Sequence, residues 1–248
     1  MGETILASFQ GGSIVGRVLL GFVCILIWVC SVSAEEGLWE SSVELGAVAT
    51  SGNTEERNIK FNGDTARDGE SMKHKAHLDA LRNSRGGITT AQKYYAYYQL
   101  DFKLADHHSL YGRLGYTDDE FSGFNSQTDF TAGYARKLFD NDRATLDGSI
   151  GLGIRSSELA TGESEDESIV RIAFDYVYNI SESAVFKQSL SSEIGSDSTI
   201  SRSETSLSAN ISGNLAMKVA LNINNNSEVP VGTEKTDTET AITLVYSF

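Results

Sequence analysis

The chain is predicted to be all-β: a single antiparallel up-and-down transmembrane β-barrel of about twelve strands, preceded by a signal peptide. Three observations predict it. Apolar residues recur with period two from Trp39 to the end of the chain. Short and long connections between these segments alternate. One proline, Pro230, is the only one in 248 residues. Period two sends successive side chains to opposite faces of a strand. In a membrane barrel one face meets lipid and the other the lumen, which explains a mean hydropathy of only −0.22.

Composition removes other classes. With 20 basic and 34 acidic residues the formal charge is −14, so no nucleic-acid partner is expected, because such partners need a basic face. A bundle of membrane helices needs runs of about 20 apolar residues, and the one long apolar run lies at Val18–Val32.

That run is read as an address. Arg17 precedes it, and Val32-Ser33-Ala34 closes it with small residues, the pattern of a cleavable secretory signal. Cleavage is expected after Ala34, leaving residues 35–248 as the barrel. A membrane anchor is the competing reading. Cys24 and Cys30 leave with the signal, and Ile27-Trp28-Val29 before Cys30 lacks the small residues of a lipoprotein signal. The mature chain then has 33 acids, 19 bases and no cysteine, so ladders and packing alone stabilise it.

Twelve segments follow, beginning near residues 39, 54, 71, 91, 108, 127, 143, 167, 184, 200, 215 and 236. The fourth is the clearest: Tyr94, Ala96, Tyr98, Leu100, Phe102 and Leu104 oppose Lys93, Tyr95, Tyr97, Gln99, Asp101 and Lys103. The seventh sets Leu146, Ile150, Leu152 and Ile154 against Asp147, Ser149 and Arg155. The eighth sets Ile172, Phe174, Tyr176 and Tyr178 against Arg171, Asp175 and Asn179. The segments near 54, 71 and 200 alternate weakly.

The connections sort onto two ends. Arg67–Glu70, Ala105–His108, Asp140–Asp142, Ser181–Ser183 and Gly213-Asn214 are tight, whereas Asp118–Ser126, Ser157–Asp166 and Asn224–Lys235 are longer. Outer-membrane barrels have short periplasmic turns and longer outer loops, so both termini are expected on the periplasmic side of the outer membrane of a Gram-negative bacterium. Proline removes a ladder donor, and Pro230 falls in an expected outer loop. The chain ends Tyr246-Ser247-Phe248, which resembles the terminal membrane-insertion signal read by the barrel assembly machinery.

Trp39, Glu44-Leu45-Gly46 and Thr50-Ser51-Gly52-Asn53-Thr54 resemble the start of the salt-induced outer-membrane protein family, a domain-of-unknown-function family of Gram-negative barrels. Softer matches are Tyr94–Tyr98, Gly133-Tyr134, and Gly151-Leu152-Gly153 followed by Arg155. The resemblance implies an outer-membrane barrel over residues 37–248 and a link to salt, and it brings no catalytic residues.

Residue chemistry points away from an enzyme. A lipid hydrolase needs an activated nucleophile, and Gly148-Ser149-Ile150-Gly151 lacks the spacing of a nucleophile elbow. His107-His108 has no spaced partner for zinc, and Asp140, Asp142 and Asp147-Gly148 do not fit a calcium loop. No catalytic residue, metal or cofactor is expected. Strand parity sends Glu44, Asp79, Lys93, Asp101, Lys103, Arg113, Asp129, Arg155, Arg171, Asp175 and Lys218 toward the lumen. These charges either line a water-filled pore or pair across the lumen and close it. The expected function is a narrow passive channel or envelope-maintenance barrel linked to salt or osmotic response. The alternative is a structural barrel that binds lipopolysaccharide through divalent cations on Asp118-Asp119-Glu120, Glu163, Glu165, Asp166 and Glu167, with lipid hydrolysis a third reading. The expected partners are outer-membrane lipids, lipopolysaccharide and the assembly machinery; the sequence leaves the oligomeric state open, with a monomer favoured.

Overall fold

The computed structural model describes residues 39–50, 56–119, 124–159, 162–229 and 233–248. The expected signal segment with its exit at Ala34, the Ser51–Thr54 turn, Glu120 and Pro230 lie outside the described residues.

Twelve strands are present among the described residues: β1 Trp39–Thr50, β2 Glu56–Asp68, β3 Met72–Arg85, β4 Ile88–Ala105, β5 His108–Asp119, β6 Phe124–Asp140, β7 Ala144–Leu159, β8 Ser164–Ser181, β9 Ala184–Gly195, β10 Thr199–Ser212, β11 Leu215–Asn226 and β12 Thr236–Ser247. Each pairs antiparallel with its sequence neighbours, and β1 pairs with β12, so the sheet closes. Closure leaves no unpaired edge, a requirement for backbone in hydrocarbon. Several strands run past the roughly 9–11 residues needed to cross a bilayer. β4 and β8 each have 18.

Ladder extension shortens the loops read from the sequence. Asp118 and Asp119 stand on β5, and Glu165, Asp166 and Glu167 on β8. One connection at the far end, opposite the chain's C-terminus, is tight: Gly86 and Gly87 join β3 to β4 with φ of 57° and 79°. Two positive φ values are what a two-residue hairpin turn requires, and glycine reaches them without strain.

The molecule is apolar outside and polar inside. Leu152, Ile154 and Ile242 are each more than 60% exposed on the outer face. Among the described residues seven apolar side chains are buried against fourteen polar or charged ones. That inversion of a water-soluble core fits a barrel solvated by lipid. At the end carrying the C-terminus, Trp39, His74 and Tyr98 form an outward aromatic cluster in which His74 Nδ1 and Tyr98 Oη are 2.8 Å or less apart, at 2.7 Å. Tyr246 and Phe248 stack at 6.1 Å. The Phe248 backbone exchanges two hydrogen bonds with Ser41.

The seam is the short ladder of the barrel. β1 and β12 share four residue pairs, whereas β6 and β7 share fifteen. Side chains reinforce it. Thr243 of β12 donates to Glu44 of β1 at 3.2 Å, and Lys60 of β2 pairs with Glu239 of β12 at 2.5 Å.

Candidate functional site: the charged lumen

The inward side chains form three groups of ion pairs. The first guards the seam. Glu44, 5% exposed, accepts hydrogen bonds from Lys218 at 3.0 Å, Asn62 at 3.1 Å and Thr243. Lys218 also reaches Glu204 at 2.8 Å, and Lys60 pairs with Asp79 at 2.9 Å.

The second group lies on β2–β4. Asp101 accepts from Gln99 at 2.7 Å and stands 3.4 Å from Lys75. Lys103 pairs with Asp68 and donates to the Gly69 carbonyl at 2.7 Å. His77 bonds Asp64 at 2.7 Å and stacks on Tyr97.

The third group crosses the lumen. Arg113 donates to Asp129 at 2.6 Å and to the Tyr95 hydroxyl, and its guanidinium covers the Tyr97 ring at 4.8 Å. Glu193, 1% exposed, faces Arg202 at 3.1 Å, Arg155 at 3.5 Å and Arg171 at 3.8 Å. Arg155 also grips Glu167 and donates to the Ser198 hydroxyl at 2.7 Å. Arg202 of β10 lies over the Tyr95 ring of β4 at 5.2 Å. These strands stand six places apart either way around the barrel. Side chains from opposite walls therefore touch, and guanidinium over an aromatic face is an attractive contact.

Backbone room makes this network possible. At Gly115 a Cβ would lie 2.2 Å from Asp129 Oδ1, and at Gly195 it would lie 2.0 Å from Glu167 Oε2. Both carboxylates occupy space that any other residue would fill. Tyr111 similarly lies over Gly151, where a Cβ would be 2.4 Å from its hydroxyl oxygen.

Of the residues predicted to face the lumen, Glu44 is brought to Lys218, Arg113 to Asp129, and Arg155 and Arg171 to one carboxylate. Asp79 and Asp101 find lysines, and Lys93 meets Asp119 at 3.3 Å. Asp175 is exposed on the face it shares with Arg171. Sequence reasoning missed Lys60, Glu193, Arg202, Glu204 and Glu239. A signal for two of them was present: outward Leu207 sets the phase of β10 and sends Arg202 and Glu204 inward. The polar Ser201, Ser203 and Thr205 on the other face hid it.

No group of three or more His, Cys, Asp or Glu side chains that could hold a metal occurs among the described residues. Glu163, Glu165 and Asp166 are exposed, whereas Glu167 turns to Arg155.

The family described as "Protein of unknown function, DUF481" matches residues 43–248. The chain belongs to this family. It is 27% identical over 210 residues to the uncharacterized protein YdiY of Escherichia coli K12, covering 84% of this chain and 83% of YdiY. Among solved structures it is similar to the NanC porin, with a TM-score of 0.50, 9% identity, and coverage of 83% of this chain and 98% of that one. The COG4313 outer membrane channel of Pseudomonas putida F1 gives 0.50, 10%, 87% and 97%. At these identities the likeness concerns the fold. This DUF481 member thus has the fold of an outer-membrane β-barrel.

Proposed function

We propose that the protein is a narrow passive channel of the outer membrane, without enzymatic activity. The observation that carries this reading is a lumen lined by charged side chains and crossed where Arg202 meets Tyr95. Even a paired buried charge gives little net stability over packed apolar side chains, so a barrel with only a structural role has little reason to fill its interior with ions. The similarity to the NanC porin and to the COG4313 channel supports the same reading through the fold. Passage requires the Arg202–Tyr95 contact to part, so the unmodified protein conducts in brief, small steps. Planar-bilayer recording of the purified mature chain tests this: discrete steps are expected, and their absence at every voltage, in wild type and in Tyr95→Ala alike, overturns it.

The termini are proposed to face the periplasm, with Tyr246 and Phe248 as the insertion signal and Ala34 as the last residue removed. The link to salt rests on the family resemblance, and protein levels after a salt upshift test it. A second role, contact with lipopolysaccharide through divalent cations, has its support in exposed Glu163, Glu165 and Asp166. Neutralising all three should then sensitise cells to chelator, and unchanged tolerance counts against it.

A further inference from the structure

The charge of the crossing cluster has the opposite sign to that of the chain. The protein carries −14 overall, yet here four guanidiniums (Arg113, Arg155, Arg171, Arg202) meet three carboxylates (Asp129, Glu167, Glu193). Two of those carboxylates are well served. Glu167 takes Arg155 together with the Ser198 hydroxyl and the Asp197 and Ser198 amides, and Asp129 takes Arg113 at 2.6 Å. Glu193 is left to answer three guanidiniums, and it does so poorly.

Charge-assisted N–H to oxygen contacts normally close to about 2.7–2.9 Å. Only Arg202 hydrogen-bonds Glu193, at 3.1 Å. Arg155 Nη1 stays 3.5 Å away and Arg171 Nε 3.8 Å. Both nitrogens, and Glu193 Oε2, are buried with no hydrogen-bond partner. A buried donor without a partner costs about 1–3 kcal/mol, more when charged. The cluster therefore holds two unspent donors beside one carboxylate that satisfies neither of them. A vestibule at the far end touches the cluster at Arg202 alone and carries mixed charge, with Lys93 and Lys235 beside Asp119, Glu234 and Asp237.

We propose that this cluster is an oxyanion-selective site in the constriction, and that Glu193 is a tethered counter-ion which a permeating carboxylate displaces. The idea rests on the channel reading and names the class of solute: small organic acids. Guanidinium presents paired donors that match a carboxylate, whereas a point charge does not. A cation finds no comparable place, because each carboxylate of the cluster already faces an arginine. The entering acid takes Arg155 Nη1 and Arg171 Nε, Glu193 swings with Arg202, and the acid leaves as Glu193 returns. No bond is made or broken.

Recording the mature protein in a planar bilayer under a potassium chloride gradient, with wild type and Tyr95→Ala side by side, tests the proposal. Basic clefts raise local anion concentration by about tenfold or more, so chloride should be preferred over potassium by roughly that factor. Arg171→Gln should lower the preference and Glu193→Gln should raise it. Malonate on the vestibule side should block chloride current in wild type, more strongly in Glu193→Gln, and weakly in Arg171→Gln. Potassium preference, or a malonate block that none of these substitutions moves, overturns the site. If neither protein conducts, the channel reading fails and the site is judged separately by calorimetric titration of the detergent-solubilised protein with malonate. Binding that weakens in Arg171→Gln and strengthens in Glu193→Gln supports the site, and absence of binding overturns it. The opposite expected directions of the two variants separate a lost donor from a misfolded barrel.

Discussion

The guanidinium of Arg202 rests 5.2 Å from the centre of the Tyr95 ring, although β10 and β4 are opposite walls of a twelve-stranded barrel. Nothing local brings these residues together. The contact exists because each long side chain reaches inward from its own wall, and because Arg113 donates to the Tyr95 hydroxyl from β5. Side chains of opposite walls meet here, and this is a place where a small change should have a large effect.

Tyr95→Ala removes the platform under Arg202 and one partner of Arg113 while leaving every ladder bond in place. Single-channel conductance should rise several-fold, and the detergent-extracted protein should keep its β-sheet circular dichroism. Tyr95→Phe keeps the ring under Arg202 but loses the hydroxyl that Arg113 donates to, so its conductance should rise less than that of Tyr95→Ala.

The short seam gives a stability prediction. Glu44 ties β1 to Lys218 of β11 and Thr243 of β12 where the closing ladder has four residue pairs and the Ser41–Phe248 exchange. Glu44→Gln leaves Lys218 with Glu204 alone. Breaking one partner of a buried pair costs about 3–5 kcal/mol, so the midpoint of urea unfolding in lipid should fall clearly. Glu165→Gln, on an exposed residue, should leave it in place.

Gly115 and Gly112 sit three residues apart on β5 and should respond differently to alanine. At Gly115 the new Cβ meets Asp129 Oδ1 at 2.2 Å, while at Gly112 nothing lies within 4 Å. Overpacking costs about 1–3 kcal/mol. Gly115→Ala should therefore unfold at lower urea and Gly112→Ala should not, by the shift of heat-modifiable migration on gels.

The two faces of the wall should tolerate charge differently. Leu152 is 71% exposed on the outer face. An arginine facing lipid near the midplane costs about 2–4 kcal/mol, so Leu152→Arg should cut the folded fraction in vesicles. Ser189 is exposed on the inward face of β9, and Ser189→Arg should fold normally. Equal tolerance at both positions would point to a barrel in water instead.

Much of the fold was legible because strand alternation is a local property. Every predicted strand start lies within three residues of the observed one, across the weak segments near 54, 71 and 200 as well. Leu100 and Phe102 set the phase of β4, and that phase places Asp101 and Lys103 without reference to any other strand. Arg202 and Glu204 were missed where the strand is polar on both faces, whereas Lys60, Glu193 and Glu239 stand on strands whose outward Ile59, Leu190 and Ile242 do mark the phase. Around Arg202 the outward Ser201 and Ser203 hydrogen-bond across to β9, Ser201 with Ser192 and Ser203 with Gln188, which removes the apolar marker that parity relies on.

The order of residues by itself determined the architecture: period two, tight turns and scarce proline permit a closed ladder and little else, because an open one would leave backbone groups unpaired in lipid. It also determined, through strand parity, the inward side of many of the lumen's charges, though not of Lys60, Glu193, Arg202, Glu204 and Glu239. Only the tertiary structure decided their partners. Pairing across the lumen depends on barrel width, strand tilt and the reach of each side chain, and these follow from the register of all twelve ladders together. Six inward arginines and lysines beside five inward acids are compatible with a pore or with a network. The network was settled by Glu193 standing among Arg155, Arg171 and Arg202, and by Tyr95 reaching Arg202 from the far wall.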